Sequence, residues 1–296
     1  MTRGGRAVLM VTGAVALGGG GWFLGPWWAL AGVLAGPPVA VVAYGTLMAF
    51  YGPEAQRFLD RHQWDEALTQ ADLGLPTLRL QARKWPAFFG DVLAIRQMQR
   101  AQALHGLGRD EEALRAVEEA VGIFRYLEKD SYLADGMLQL SRIRHALGDL
   151  EESLAAAAEA TEMYRALTAA RPGGYRADLA EALTDQATAL TRLRRHDKAL
   201  EPVREAQRIY QDGFAWDRLP DDAPRAWLTE GVILTCLERY RDASRSFARA
   251  WRLRGGRDEP LPGQARHAMS TAYRSDPEEF TDGWHQETGA DPPLWL

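Results

Sequence analysis

A chain of 296 residues with 46% apolar and 25% charged residues falls within the range of ordinary globular proteins. Residues 1–51 carry only Arg3 and Arg6, so 33 of the 35 Lys and Arg lie in 52–296 beside all 40 Asp and Glu. That part is acidic by seven charges, which argues against nucleic acid as a partner. The single cysteine, Cys236, excludes an intrachain disulfide framework and a Cys-rich zinc site, and the absence of Asn excludes an N-glycosylation sequon.

From Ala7 to Gly52 there are 46 consecutive residues without a charge. One membrane span needs about 20 apolar residues, so the run is long enough for two. It predicts a helical hairpin with spans over about 7–24 and 27–51, broken at Gly25-Pro26. Trp22, Trp27 and Trp28 cluster at that break as an interfacial rim, and Tyr51 marks the other rim. Gly18–Gly21 and Pro37-Pro38 weaken regular helix here; a cleaved signal peptide, a soluble buried helix pair and a single span with an interfacial partner are the competing readings, the second disfavoured because almost every face of both segments is apolar. In the two-span reading Arg3 and Arg6 before the first span, and Arg57 and Arg61 after the second, place both ends in the cytoplasm.

Beyond Gly52-Pro53 one phrase recurs between amphipathic segments. It reads Gln63-Trp64-Asp65-Glu66-Ala67-Leu68, Gly108-Arg109-Asp110-Glu111-Glu112-Ala113-Leu114, Gly148-Asp149-Leu150-Glu151-Glu152-Ser153-Leu154, Arg195-His196-Asp197-Lys198-Ala199-Leu200 and Arg239-Tyr240-Arg241-Asp242-Ala243-Ser244. The small residue (Ala67, Ala113, Ser153, Ala199, Ala243) returns after 46, 40, 46 and 44 positions, a period that predicts a solenoid. Gly108 and Gly148 suit a left-handed helix C-cap. The acids that follow occupy the first turn of the next helix and complement its dipole. The small residue lets that helix approach its partner, and apolar residues then recur at helical spacing, as in Val117, Ala120, Val121 and Phe124.

These copies resemble the tetratricopeptide repeat. Copy five carries the fullest pattern, with Trp227, Gly231, Leu234, Tyr240, Ala243, Phe247 and Ala250. Copy two matches through Ala101, Leu104, Gly108, Ala113 and Ala120, and copy four through Leu183, Ala187, Leu190 and Ala199. Copy three departs at Arg144 and Ser153; copy one retains Ala55, Phe58, Trp64 and Ala67. The long period is similar to kinesin-light-chain-like repeats, and the stretch Glu159–Arg165 through Ala180–Leu183 resembles repeats of actinobacterial signalling proteins, here expected in a membrane-anchored form. The resemblance covers about 54–254. It implies an all-α chain: the hairpin (1–52), an array of about five helix-turn-helix repeats (53–254) and a C-terminal cap with an acidic, aromatic tail (255–296). Gly255-Gly256, Pro260 and Pro262 break the array, 263–274 forms a capping helix, and Asp276-Pro277-Glu278-Glu279 starts another. Trp284 is expected to pack against the last helix rather than serve, with Trp295-Leu296, as a peptide ligand.

No catalytic constellation stands out. The phosphate-binding loop and the Gly-x-Ser-x-Gly elbow are missing from the sequence, and the six His are not paired at metal-helix spacing. His105 and His145 fall at equivalent places in adjacent copies, so they could approach one another. Cys236 lies late in the first helix of copy five, lining or packed within a groove, with no identifiable base. No cofactor and no metal is expected. The family geometry implies a concave groove lined by the first helices, where a protein or peptide would bind. Its candidate residues are Gln102, His105, Arg142, His145, Glu181, Thr184, Thr188, Thr191, Arg192, Arg225 and Thr235, each of which also suits an ordinary hydrated surface. The threonines form the most polar stretch, Arg142 with Arg192 suits an acidic partner held bidentately, and the absence of Asn rules out the family's usual carboxylate clamp. The expected function is a non-enzymatic, membrane-tethered adaptor with a cytoplasmic array. The alternatives are a regulatory or sensor subunit whose chemistry lies on another chain, and an exported protein.

Overall fold

The computed structural model describes residues 54–171, 173–214, 219–220, 222–254 and 263–293. The proposed spans over 7–24 and 27–51, the Gly255-Gly256 break and Trp295-Leu296 lie outside the described residues. Among the described residues no helix is long and apolar enough to cross a membrane.

The described chain is all-helical, with 13 helices: α1 (54–60), α2 (Trp64–Asp72), α3 (Leu75–Lys84), α4 (Pro86–Gly106), α5 (Asp110–Tyr126), α6 (Asp130–Leu147), α7 (Leu150–Ala170), α8 (Arg176–Arg192), α9 (His196–Gly213), α10 (Pro224–Cys236), α11 (Tyr240–Leu253), α12 (Gly263–Ser275) and α13 (Pro277–Thr288). The recurrent phrase sits between the two helices of each copy. Five positions before each marker stands a residue in the left-handed conformation, which opens the phrase in copies two and three and immediately precedes it in the others: His62 (φ 55°), Gly108 (71°), Gly148 (90°), Arg194 (59°) and Glu238 (57°). The next residue's N–H then reaches back five positions at 2.9 Å in all five copies, as Gln63 N to Phe58 O, Arg109 N to Leu104 O, Asp149 N to Arg144 O, Arg195 N to Leu190 O and Arg239 N to Leu234 O. This bond satisfies a carbonyl that the helix end would otherwise leave bare. The same residue's carbonyl accepts the N–H of the small marker residue at 2.9–3.1 Å, closing the first turn of the second helix.

The marker residues are all buried, with Ala113, Ala199 and Ala243 at 0% exposure. Ser153 fits because its hydroxyl donates to Ser141 O at 2.9 Å while the Ser141 hydroxyl donates to Ser153 O at 2.9 Å, a reciprocal bond between α6 and α7. Gly231 has an equally local cause: a Cβ there would stand 2.5 Å from Cε1 of Phe247. In copies two to five the two helices pack along their length, and each second helix also packs on the next first helix. Successive first helices α4, α6, α8 and α10 approach one another more closely than α5, α7, α9 and α11 do, so the first helices form the inner layer of the bend. The outer helices are instead spanned by long side chains: Arg79–Glu119 (2.6 Å, α3 to α5), Arg125–Glu159 (2.9 Å, α5 to α7) and Arg165–Glu205 (3.0 Å, α7 to α9). Such exposed pairs are each worth about 0.2–1 kcal/mol.

Two features depart from a plain two-helix rhythm. The 46-residue step from copy one to copy two holds an additional helix, α3, which packs on α4 beside α2. At the other end α12 packs on α10 and α11, and α13 lies along α11. Asp276 caps α13 by accepting Glu279 N–H at 2.9 Å. Gly283 allows the close approach, its Cα facing the Ser244 hydroxyl and the Arg241 carbonyl. Trp284 is 1% exposed, between Trp251 and the stacked ring of Phe280, the packing expected of it.

Two substitutions test this reading. Gly231→Ala removes a mid-helix glycine, which alone would favour the helix by about 0.5–1 kcal/mol. The Phe247 contact should reverse the sign and leave a net loss of about 1–3 kcal/mol in urea unfolding. Glu238→Gly relieves a left-handed residue with an exposed side chain and should stabilise by about 1 kcal/mol, seen as a higher urea midpoint with unchanged slope.

Candidate functional site

Three successive first helices bring charged residues to one place. On α8 the spacing Asp178, Glu181, Asp185 puts three carboxylates on one face. On α6 the spacing of Asp135, Arg142 and His145 puts one carboxylate, one guanidinium and one imidazole on one face. The turn before α10 supplies Asp222, and α10 itself supplies Arg225.

Asp185 is the node. Its side chain is 6% exposed and is held from both sides, by Arg142 Nε at 2.7 Å and Arg225 Nη1 at 2.6 Å. Arg142 Nη2 also donates to Glu181 Oε1 at 2.5 Å, and Arg225 Nη2 lies 3.9 Å from the same oxygen. Burial opposes the Arg142 charge, but Asp185 and Glu181 outweigh it and hold the guanidinium above its ordinary pKa. The remaining acids are less well matched. Burial, reinforced by Glu181, holds the Asp135 carboxyl above the ordinary carboxylate range, even though Tyr164 OH donates to it. Burial likewise raises Asp178, with Asp135 and Glu181 adding to it, and raises Asp222, with Glu181 adding and Arg225 opposing. Tyr164 and Tyr210, each 1% exposed, back the cluster. Burial raises both phenols, followed by Asp135 for Tyr164 and Asp222 for Tyr210. Five carboxylates thus face two guanidinium groups, so this part of the inner surface is electronegative.

Of the residues expected in the groove, Arg142, Glu181 and Arg225 meet in this cluster. The expected use of Arg142 is corrected. Two of its guanidinium nitrogens, Nε and Nη2, are engaged by Asp185 and Glu181 of the next copy, so its charge is already matched by acids of its own chain. Arg192, its proposed companion, ends α8 as an exposed side chain and is felt by His145. Burial first, then Arg192, hold the His145 imidazole below its ordinary value against the pull of Asp185. His105 does not turn to His145 for a partner; its Nδ1 sits 2.5 Å from Asp110 Oδ1. Gln102 is exposed on α4.

The threonines also differ from expectation. Thr184 donates to Ala180 O (2.8 Å), Thr188 to Thr184 O (2.8 Å), Thr191 to Ala187 O (2.7 Å) and Thr235 to Gly231 O (2.8 Å). Each hydroxyl proton is spent on the helix's own backbone four residues back, and Thr184 and Thr191 are buried. These residues shape α8 and α10 rather than offering a polar ladder. Cys236 is a free thiol on the surface, its pKa raised by partial loss of water around it, Arg194 opposing. Among the described residues no group of three or more His, Cys, Asp or Glu is placed to hold a metal ion.

Sequence reasoning found Glu181 but missed Asp178 and Asp185, its neighbours one turn away on either side, and missed Asp135 and Asp222. The i, i+3, i+7 spacing on α8 was the available signal.

No protein-family profile and no curated protein sequence matches the chain. Solved structures do. BtubC (BKLC) from P. vanneervenii aligns with a TM-score of 0.55 at 16% identity, covering 78% of this chain and 88% of that one. A putative kinesin light chain of Podosopora anserina with nearly identical TPR-like repeats aligns at 0.46, with 15% identity and coverage of 78% and 95%. YrrB, described as a TPR protein with an unusual peptide-binding site, aligns at 0.37, with 15% identity and coverage of 71% and 97%. The fold is that of TPR-like repeat proteins.

The pH dependence of the cluster can be checked at Asp178. A carboxyl with a raised folded pKa binds its proton more tightly folded than unfolded. It costs nothing below its unfolded value, and stability is lost as pH rises through the folded one. Asp178→Asn should therefore raise the melting temperature at neutral pH, with the gain fading as pH falls toward about 4. A gain that is the same at every pH would contradict this account of the cluster.

Proposed function

We propose that the array is a protein-binding scaffold whose partner lies along the inner layer of first helices. The observation that carries this reading is the electronegative cluster of Asp135, Asp178, Glu181, Asp185 and Asp222, assembled from three successive copies. A surface that keeps carboxylates beyond those its own arginines neutralise favours a cationic segment, because an incoming Arg or Lys relieves repulsion as well as forming charge-assisted bonds. The sequence suggested an acidic ligand; the pairing of Arg142 turns that preference round. The reading needs no chemistry from the array. It also keeps the chain at a membrane, on the ground that residues 7–52 carry no charge, with the array on the cytoplasmic side by the distribution of Arg3, Arg6, Arg57 and Arg61.

The test is fluorescence anisotropy with the full-length protein in neutral detergent and two labelled peptide pools, one rich in Arg and Lys and one rich in Glu. The basic pool should bind, more weakly as salt rises. The double variant Asp178→Asn, Asp222→Asn should lose about tenfold in affinity, while Lys198→Ala on the outer helix α9 should leave binding unchanged. Preferential binding of the Glu-rich pool, or indifference to the double variant, would remove the groove from this role.

A further inference from the structure

The additional helix α3 is not required by the two-helix rhythm, and what it shows to solvent is unusual for this chain. Its inward face is spent on Leu75, Leu78 and Ala82, all buried against the fold. Its outward face and flanks expose Leu73 (53%), Leu80 (61%) and Phe88 (57%). Exposed large apolar residues among the described ones are Leu73, Leu80, Phe88, Tyr126 and Tyr132, all in the first part of the array. Tyr126 edges an open cleft of about 560 Å³ between α3 and α5, whose walls include Ala82, Pro86, Leu93 and Ile123.

The charge on this segment runs against the rest of the chain. Residues 73–90 contain Arg79, Arg83 and Lys84 and no acid, within a region that is otherwise acidic. Arg79 is held by Glu119 at 2.6 Å, whereas Arg83 and Lys84 are exposed and reach water. Lys84 is also one of only three lysines in the protein. Long cationic side chains beside scattered Leu and Phe, with Trp85 half-exposed between them, are the composition of a helix that lies in the headgroup layer. The apolar side chains enter the acyl boundary while the cations meet lipid phosphates. A protein partner would need a wider continuous apolar patch than three separated side chains provide.

We propose that α3 and its flanks, through Leu73, Leu80, Arg83, Lys84 and Phe88, dock on an anionic phospholipid surface. The inference rests in part on the membrane reading of residues 7–52, and the test separates the two. The full-length protein carries Cys236→Ser and Leu80→Cys, with an environment-sensitive bimane label at position 80. It is reconstituted with vesicles of phosphatidylcholine alone or with added phosphatidylglycerol. Flotation reports whether the chain is held by the membrane; label emission, and its quenching by lipids spin-labelled near the headgroup, report whether α3 is. With anionic vesicles the label should shift to the blue and be quenched several-fold more than with neutral ones. Adding Arg83→Glu and Lys84→Glu should abolish the difference while flotation persists. Both substitutions are at exposed positions, and unchanged helicity by circular dichroism confirms the fold. Three results would each overturn the docking: flotation with a water-exposed label, equal quenching in neutral vesicles, or a label already blue-shifted in detergent whose shift is lost on dilution of the protein at fixed detergent, which would assign the patch to a second copy of the chain. Failure to float with neutral vesicles would defeat the anchor alone, since the label with added anionic vesicles still tests α3.

Discussion

Everything else in the array depends on one local constraint, the left-handed residue that ends each first helix. With that residue in place, the following N–H must bond five residues back and the following carbonyl must start the second helix. The angle between the two helices is thereby settled within a few residues. Packing then only has to be compatible with it. The small residue five positions on arrives at the partner helix with only a methyl or hydroxymethyl group to accommodate, which is why the marker and the turn share one spacing along the chain. Three of the five copies accept His, Arg or Glu in a conformation that suits glycine. Keeping the geometry thus outweighs a local strain of about 1–2 kcal/mol.

The two surfaces of the bend are charged by different rules. Outside, helices too far apart for small residues to touch are bridged by arginines at the edge of their reach, with solvent screening every pair. Inside, first helices converge, and side chains from three copies compete for one partly dry space. There Asp185 gathers two guanidinium groups, while Asp135, Asp178 and Asp222 are less well matched, each carboxyl held above its ordinary range. Convergence of the inner layer is therefore what makes the candidate site, rather than any motif on a single helix.

The repeat was legible because its marks are local. Gly108 and Gly148 announce a left-handed turn by residue type, and the acids after them announce a helix start. His62, Arg194 and Glu238 do not announce it, since nothing in an arginine or glutamate implies a positive φ; only their shared offset from Ala67, Ala199 and Ala243 does. The helix α3 was missed because the phrase marks the turn within a copy, and a longer interval reads equally well as longer helices or as an extra one. The site was less legible for a different reason. Arg142 finds Asp185 forty-three positions away, and that meeting depends on how one copy is stacked on the next. A lone arginine on an inner face reads as available to a ligand; whether its own chain has already claimed it is a property of the stacked array. The threonines show the converse, polar by composition yet with each hydroxyl proton kept by its own helix.

The closure of α13 on α11 bears on how such a chain can lengthen. A unit duplicated between two copies brings its own turn and meets neighbours like those it came from, so the array can grow internally with both flanks undisturbed. Beyond α11 the case differs. The surface on which another pair of helices would stack is held by α13, seated so closely at Gly283 that even one methyl group would strike the Arg241 carbonyl. The array is thus extensible at its internal turns and sealed at this one, and the glycine holds the seal.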